Sequence, residues 1–278
     1  MTTAQAYEEV IRITRREARN FAWGIALLPR AKREAVAALY AFARRVDDIA
    51  DEPGPDSGER RRLLQACREA VEDLPASTDG DPVLVALGDA MSRYPIPKSA
   101  LFDLVSGGLM DVERSRYASW EELREYCRCV AGSVGLMCTA VYGPSDRKAA
   151  ASRAITLGLA LQQINIMRDV AEDWTLGRVY LPEDERRKYG VSEDEIAAGE
   201  VGAGWRPLME HQAERAEGLL ADGLELLPLL DRRSALCVRA FAGIYHGLLL
   251  QMRERRYDVF SERPGLSALG KVRAVAAL

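Results

Sequence analysis

An all-α fold is predicted by three features of the chain. Apolar residues recur at helical spacing, strand-like alternation is almost absent, and prolines and glycines gather between the periodic stretches. Residues 4–19 form a polar amphipathic helix, and residues 31–50 a longer one that begins after Pro29. The stretch "DEPGPDSGE" at 51–59 interrupts the chain with two prolines and two glycines. Helices follow at 59–73, 82–93 and 97–110, the last two opening near Pro82 and Pro97, where a missing N–H costs nothing. Ser119 and Glu122 have the spacing of a capping box for a helix over 120–142, which Gly143-Pro144 ends. Another helix runs from about 146 to 173. "LGRVYLPEDERRKYGV" is a loop with one short helix, and helices resume at 192–199, 205–228 and 231–256, before a loop and a short tail helix. No repeat, low-complexity tract or composition break divides the chain, so residues 1–278 are expected to form a single domain.

The composition narrows the function classes. A chain of 278 residues, 48% hydrophobic and 29% charged, has the length and apolar content for a large core. Its net charge of −4 provides no basic field, so nucleic acid is not an expected partner. The five cysteines include no CxxC pair and read as reduced core residues rather than zinc ligands or disulfides. With only His211 and His246, a histidine-rich metal centre is excluded and a histidine-dependent triad is disfavoured. The charged amino-terminal stretch lacks the apolar segment of a secretory signal, so a cytoplasmic chain is expected. The longest apolar run, "ALCVRAFAGIYHGLLLQM", carries Arg239 and His246 and suits a core helix better than a membrane span. Peripheral contact with a membrane surface stays open.

Two acidic constellations carry the chemistry. In "YAFARRVDDIADE", Tyr40, Arg44, Asp47 and Asp51 are spaced four, three and four residues apart, which stacks them on one helix face. In "LQQINIMRDVAED", Gln162, Asn165, Asp169 and Asp173 are spaced three, four and four. Side chains four apart rise about 6 Å along a helix, so they can share a hard cation or hold neighbouring ones. Magnesium suits such a set, because it takes oxygen ligands, keeps several waters and uses one or two carboxylates beside substrate phosphates. Arg44 and Arg168 add fixed positive charge matched to phosphate oxygens. The bland alternative for the first stripe is a solvated face, with Asp47 and Asp51 paired to Arg44 and Arg45. The second stripe resists that alternative: Gln162, Asn165 and Asp169 interrupt an otherwise apolar run, and polar groups buried without partners cost several kcal/mol each.

These two segments resemble the signature motifs of the squalene/phytoene synthase family, the head-to-head trans-isoprenyl diphosphate synthases. Further similar stretches are "LLPRAKREAVAALYAF", "YCRCVAGSVGLM" and "RYDVF", so the resemblance spans roughly residues 17–262. It implies the isoprenoid synthase fold, an all-α domain around a central cavity with acidic helices facing across its mouth. It further implies that Asp47, Asp51, Asn165, Asp169 and Asp173 hold Mg²⁺, that Arg44 contacts diphosphate and that Gln162 lies one turn deeper, with Phe21, Tyr40, Arg44, Gln162, Asn165 and Arg168 as the substrate-binding set. Tyr40, Tyr126 and Tyr245 match cavity tyrosines and Phe21 a cavity aromatic, while Arg178 and Tyr180 sit in a flap-like segment after the second motif. Tyr126, Arg178, Tyr180 and Tyr245 are the implied catalytic set.

The implied reaction ionises one allylic diphosphate and joins it to a second prenyl chain with closure of a cyclopropane. "EARNFAWGIALLP" departs from the Ser-x-Ser-Phe pattern of many phytoene synthases, and "NIMRDVAED" is intact, unlike the hydroxysqualene-forming branch. The chain resembles most the presqualene diphosphate synthases of the hopanoid pathway, which use two farnesyl diphosphates. Phytoene synthases, which use two geranylgeranyl diphosphates, come second. NADPH is expected only if a reductive step to squalene follows, and downstream isoprenoid enzymes are candidate partners. Two other readings are a helical scaffold with structural acidic stripes and a terpene cyclase acting on one substrate. The small residues of "VAGSVGLM" and "AITLGLALQQ" serve either close helix packing or a tunnel for a prenyl tail.

Overall fold

The computed structural model describes residues 1–17, 21–51, 56–74 and 80–277, with Phe21 described by its backbone alone. Helices account for the regular structure among these residues, and strand pairing is limited to one isolated bridge between Arg116 and Val179. In chain order they are α1 (Thr3–Glu17), α2 (Phe21–Ile25), α3 (Arg30–Asp51), α4 (Ser57–Asp73), α5 (Pro82–Arg93), α6 (Lys98–Glu113) and α7 (Trp120–Cys127). A π-helical turn (Arg128–Gly132) leads into α8 (Ser133–Tyr142), followed by α9 (Arg147–Arg168), α10 (Val170–Thr175), α11 (Glu183–Tyr189) and α12 (Glu193–Ala198). The last long helices are α13 (Trp205–Leu224) and α14 (Arg232–Glu254), with α15 (Ala268–Ala277) closing the chain.

Aspartates start several of these helices by accepting backbone N–H groups that have no partner within the helix. Asp56 caps α4, Asp81 caps α5 ahead of Pro82, Asp146 caps α9 and Asp231 caps α14. Gly143, at φ 68°, stops α8 in the left-handed conformation that glycine adopts without cost. Several expectations need correction. The expected helix 120–142 contains a π-helical turn, and the expected helix 146–173 is interrupted at Asp169, where φ is −102° and ψ is 11°. Ser119 makes no capping bond; the Glu122 carboxylate instead accepts the Ala118 N–H at 3.0 Å. Pro97 sits one residue before α6 rather than within its first turn, and α2 was not anticipated.

Apolar burial, the dominant favourable term in folding, divides into two clusters. One gathers α1, α3, α5, α6 and α8, with Phe42, Leu39, Leu87 and Leu101 at its centre. The other gathers the end of α9 with α13 and the second half of α14, around Trp205, Met209, Ile164 and Met252. Helix α13 packs along α9, and α8 packs against α9 through glycine. A Cβ at Gly158 would lie 2.5 Å from the Ala131 carbonyl oxygen, and one at Gly135 would overlap Ala154. Close packing therefore explains Gly135 and Gly158. Helix α14 is long and apolar enough to cross a membrane by composition, yet 56% of its apolar window is buried inside the protein. The cysteines are free, with Cys127, Cys129 and Cys237 buried.

Candidate active site

A cavity of about 950 Å³ opens where the two apolar clusters meet. From α3 it is lined by Tyr40, Arg44, Asp47 and Asp51, and from α9 and α10 by Gln162, Asn165, Arg168, Asp169 and Asp173. Tyr126 of α7, Arg178 and Tyr180 of the segment after α10, and Tyr245 of α14 complete the residues singled out in the sequence. Phe21 is the exception: its side chain lies outside the described residues.

The first stripe does not form the local ion pairs that the bland reading required. Arg44 pairs with Asp48 at 2.6 Å and Arg45 with Asp81 at 2.8 Å. Asp51 instead accepts Nη1 of Arg178, whose Nη2 is held by the Ala50 carbonyl at 3.1 Å. Asp47 makes no ion pair with any described residue. Enclosure by the cavity walls, then the negative charges of Asp51 and Asp111, push its carboxyl up to about 7. Asp47 is nonetheless open to solvent.

In the second stripe Asp169 is held firmly. Arg168 forks onto Asp169 at 2.8 and 2.6 Å, and Arg263 reaches the same carboxylate at 2.9 Å while pairing with Glu172 at 3.0 Å. The break at Asp169 does not cut the hydrogen-bond ladder: its N–H bonds to Asn165 and its carbonyl accepts from Asp173. Burial and the charge of Asp169, opposed by Arg178, raise the Asp173 carboxyl to about 8. One turn before Asp169, the side-chain oxygen of Asn165 is buried without a hydrogen-bond partner among the described residues, as is Nε of Arg44.

These orphaned atoms test whether divalent cations and an anion fit here. An unsatisfied carbonyl oxygen beside two carboxylates, in the same cavity as Asp47, which has no ion pair with a described residue, is a donor set for a hard cation. The arginines on both sides suit phosphate oxygens. Among the described residues no three acidic, histidine or cysteine side chains converge closely enough to hold an ion alone.

Several cavity residues are not singled out by the sequence, among them Asp111, Glu172 and Arg263. Asp111, near the end of α6, accepts the Tyr126 hydroxyl at 3.0 Å and the Tyr180 hydroxyl at 2.6 Å. Burial, opposed by Arg178 and these two hydroxyls, lifts its carboxyl to about 6. Nothing in "SGGLMDVERS" marks it, because it stands outside both stripes and its tyrosines lie 15 and 69 residues away.

Comparison with known proteins decides the family. The family model described as squalene/phytoene synthase matches residues 14–270. The chain belongs to the squalene/phytoene synthase family. A phytoene synthase of Mycobacterium tuberculosis is 42% identical over 277 residues, 98% of this chain and 90% of that protein. The crystal structure of a dehydrosqualene synthase with a ligand superimposes with a TM-score of 0.92 at 28% identity, covering 99% of this chain and 95% of the other. Squalene synthase HpnC from Alicyclobacillus acidocaldarius gives 0.84 at 29% identity, with coverage of 92% and 95%. As a squalene/phytoene synthase, the chain is a prenyltransferase of the isoprenoid synthase fold that condenses prenyl diphosphates head to head.

Proposed function

We propose that the protein joins two farnesyl diphosphates into presqualene diphosphate, with Mg²⁺ held by Asp47 and Asp51 on one side and Asn165, Asp169 and Asp173 on the other. The observation that carries this reading is that the two polar stripes, on helices far apart in sequence, border one cavity together with Arg44, Arg168 and Arg178. Bound Mg²⁺ would supply charge neutralisation for the departing diphosphate. The protein's own groups do the rest. Arg44, whose Nε has no partner, and Arg168 and Arg178 orient the diphosphate oxygens, so the allylic C–O bond breaks with its electron pair on the leaving group. Gln162 and Tyr40 border the same space and position the diphosphate end of the substrate. Tyr126, Tyr180 and Tyr245, all buried, face the cation with ring and hydroxyl and keep water away from it. The double bond of the second chain attacks that cation, and loss of a proton closes the cyclopropane.

Chain length is where two readings compete. Farnesyl diphosphate is favoured by the structural likeness to a dehydrosqualene synthase and a squalene synthase. Geranylgeranyl diphosphate is favoured by the relative named phytoene synthase. Purified protein is incubated with Mg²⁺ and each diphosphate, without NADPH, and the products are identified by mass spectrometry. Presqualene diphosphate from the C15 substrate is expected. Phytoene formed only from the C20 substrate would replace the first reading with the second, and no condensation of either would remove both.

A further inference from the structure

We infer that Asp111 is a positioning residue of the condensation: by taking the hydroxyl hydrogens of Tyr126 and Tyr180, it turns the lone pairs of both phenol oxygens toward the reacting cation. The inference rests on the cavity being where the allylic diphosphate ionises. Each tyrosine has its own carboxylate oxygen, Tyr126 on Oδ2 at 3.0 Å and Tyr180 on Oδ1 at 2.6 Å. The two hydroxyls are themselves 3.3 Å apart, so the carboxylate offers each hydrogen its shorter contact. An ionised carboxylate accepts and cannot donate, so both hydrogens must point at it. Burial acts against that ionised form, and Arg178, the counter-charge on this side of the cavity, acts for it together with the two hydroxyls.

The surroundings make this pairing selective. Tyr117, Tyr126 and Tyr180 form a ring cluster with centroids 5.0 to 5.8 Å apart, the Tyr126 and Tyr180 rings stacked at 22°. The hydroxyl of Tyr117 is buried with no hydrogen-bond partner, and Tyr117 does not line the cavity. Within this ring cluster, the two tyrosines that border the cavity are the two that Asp111 holds. A phenol free to rotate could direct its O–H dipole against a developing positive charge, whereas a clamped one presents negative potential at no reorganisation cost. Because Asp111 comes from α6, Tyr126 from α7 and Tyr180 from the segment after α10, the clamp also joins three separate parts of the chain at the reacting centre.

The test uses the full chain and whichever prenyl diphosphate the wild-type enzyme condenses. Asp111→Asn keeps shape but places an amide N–H₂ against one phenol, forcing that hydroxyl to turn away. Turnover is expected to fall by about 10²-fold with KM unchanged, and products should shift toward water-quenched prenyl alcohols. In a Tyr126→Phe, Tyr180→Phe background the same substitution should cost nothing further. Wild-type rate and product purity in Asp111→Asn would overturn the inference, as would an equal loss in the double-Phe background. Should Asp111→Asn fail to fold, the double-Phe enzyme must itself show the altered product ratio, and an unaltered ratio overturns the inference. Failure of the wild-type enzyme to condense either substrate would instead sink the functional reading beneath it.

Discussion

The stripe on α3 and the stripe on α9–α10 border the same cavity, yet the protein treats them differently. On α3, Asp47 faces Asp51 and Asp111 without a cation of its own, and their mutual repulsion is left standing. On α9–α10, Asp169 is already gripped by Arg168 and Arg263. The cause is the setting of each helix. α3 is amphipathic, so its acids lie on a wet face. α9 is apolar on most sides, burying Leu157, Leu159, Ile164, Ile166 and Met167, and a carboxylate at its end needs a resident partner. Asp47 is poised to receive positive charge, while Asp169 must exchange it.

The largest expected effect tests whether the stripes share one reaction. Asp47→Asn and Asp169→Asn should each lower turnover by about 10²–10³-fold, with helical circular dichroism intact. Their effects on stability should then have opposite signs. Asp169→Asn deprives Arg168, whose side chain is only 12% exposed, of a forked partner and should cost about 1–3 kcal/mol in denaturant titrations. Asp47→Asn removes repulsion and should raise the melting temperature. Shifts of the same sign would dissolve the contrast.

The next effect is on the pH dependence of stability. The Asp47 and Asp173 carboxyls lie near 7 and 8 in the folded, metal-free protein, whereas unfolded aspartate titrates near about 3.9. The folded state therefore holds extra protons between these values, and stability falls as pH rises through that window. Thermal melts in chelator should show the decline. Asp47→Asn should flatten mainly its part below about pH 7, and Asp173→Asn the part extending to about pH 8. Parallel, unflattened curves would assign the slope to other groups. The smallest effect is that of Arg263→Ala. Its side chain is 56% exposed, so loss of both its pairs should change stability by less than about 1 kcal/mol, read from the denaturant midpoint.

Much of this was legible beforehand because it is local. Helical period, proline and glycine breaks, and acids spaced three and four apart all register within a dozen residues. The spacing placed each stripe on one helix face, whereas the cavity that both stripes line, and Tyr126 and Tyr245, could be singled out only through the family resemblance. Asp111 was invisible because its role depends on tyrosines brought from other helices. The break at Asp169 carried no glycine or proline to announce it, and α2 is five residues long, too short for periodicity to register. The capping pair at Ser119 and Glu122 shows the converse: correct spacing, with the carboxylate bonded one residue away from the expected N–H.

The π-helical turn at Arg128–Gly132 has a consequence for how the rod from Trp120 to Tyr142 can change. A turn that accommodates one surplus residue rotates everything beyond it by about 100° relative to an unbroken helix. Tyr126 upstream and the glycine-packed face of α8 downstream are thus aimed independently. Deleting a single residue there would heal the helix and misdirect one end or the other, so this short stretch should tolerate exchange of side chains far better than any change of length.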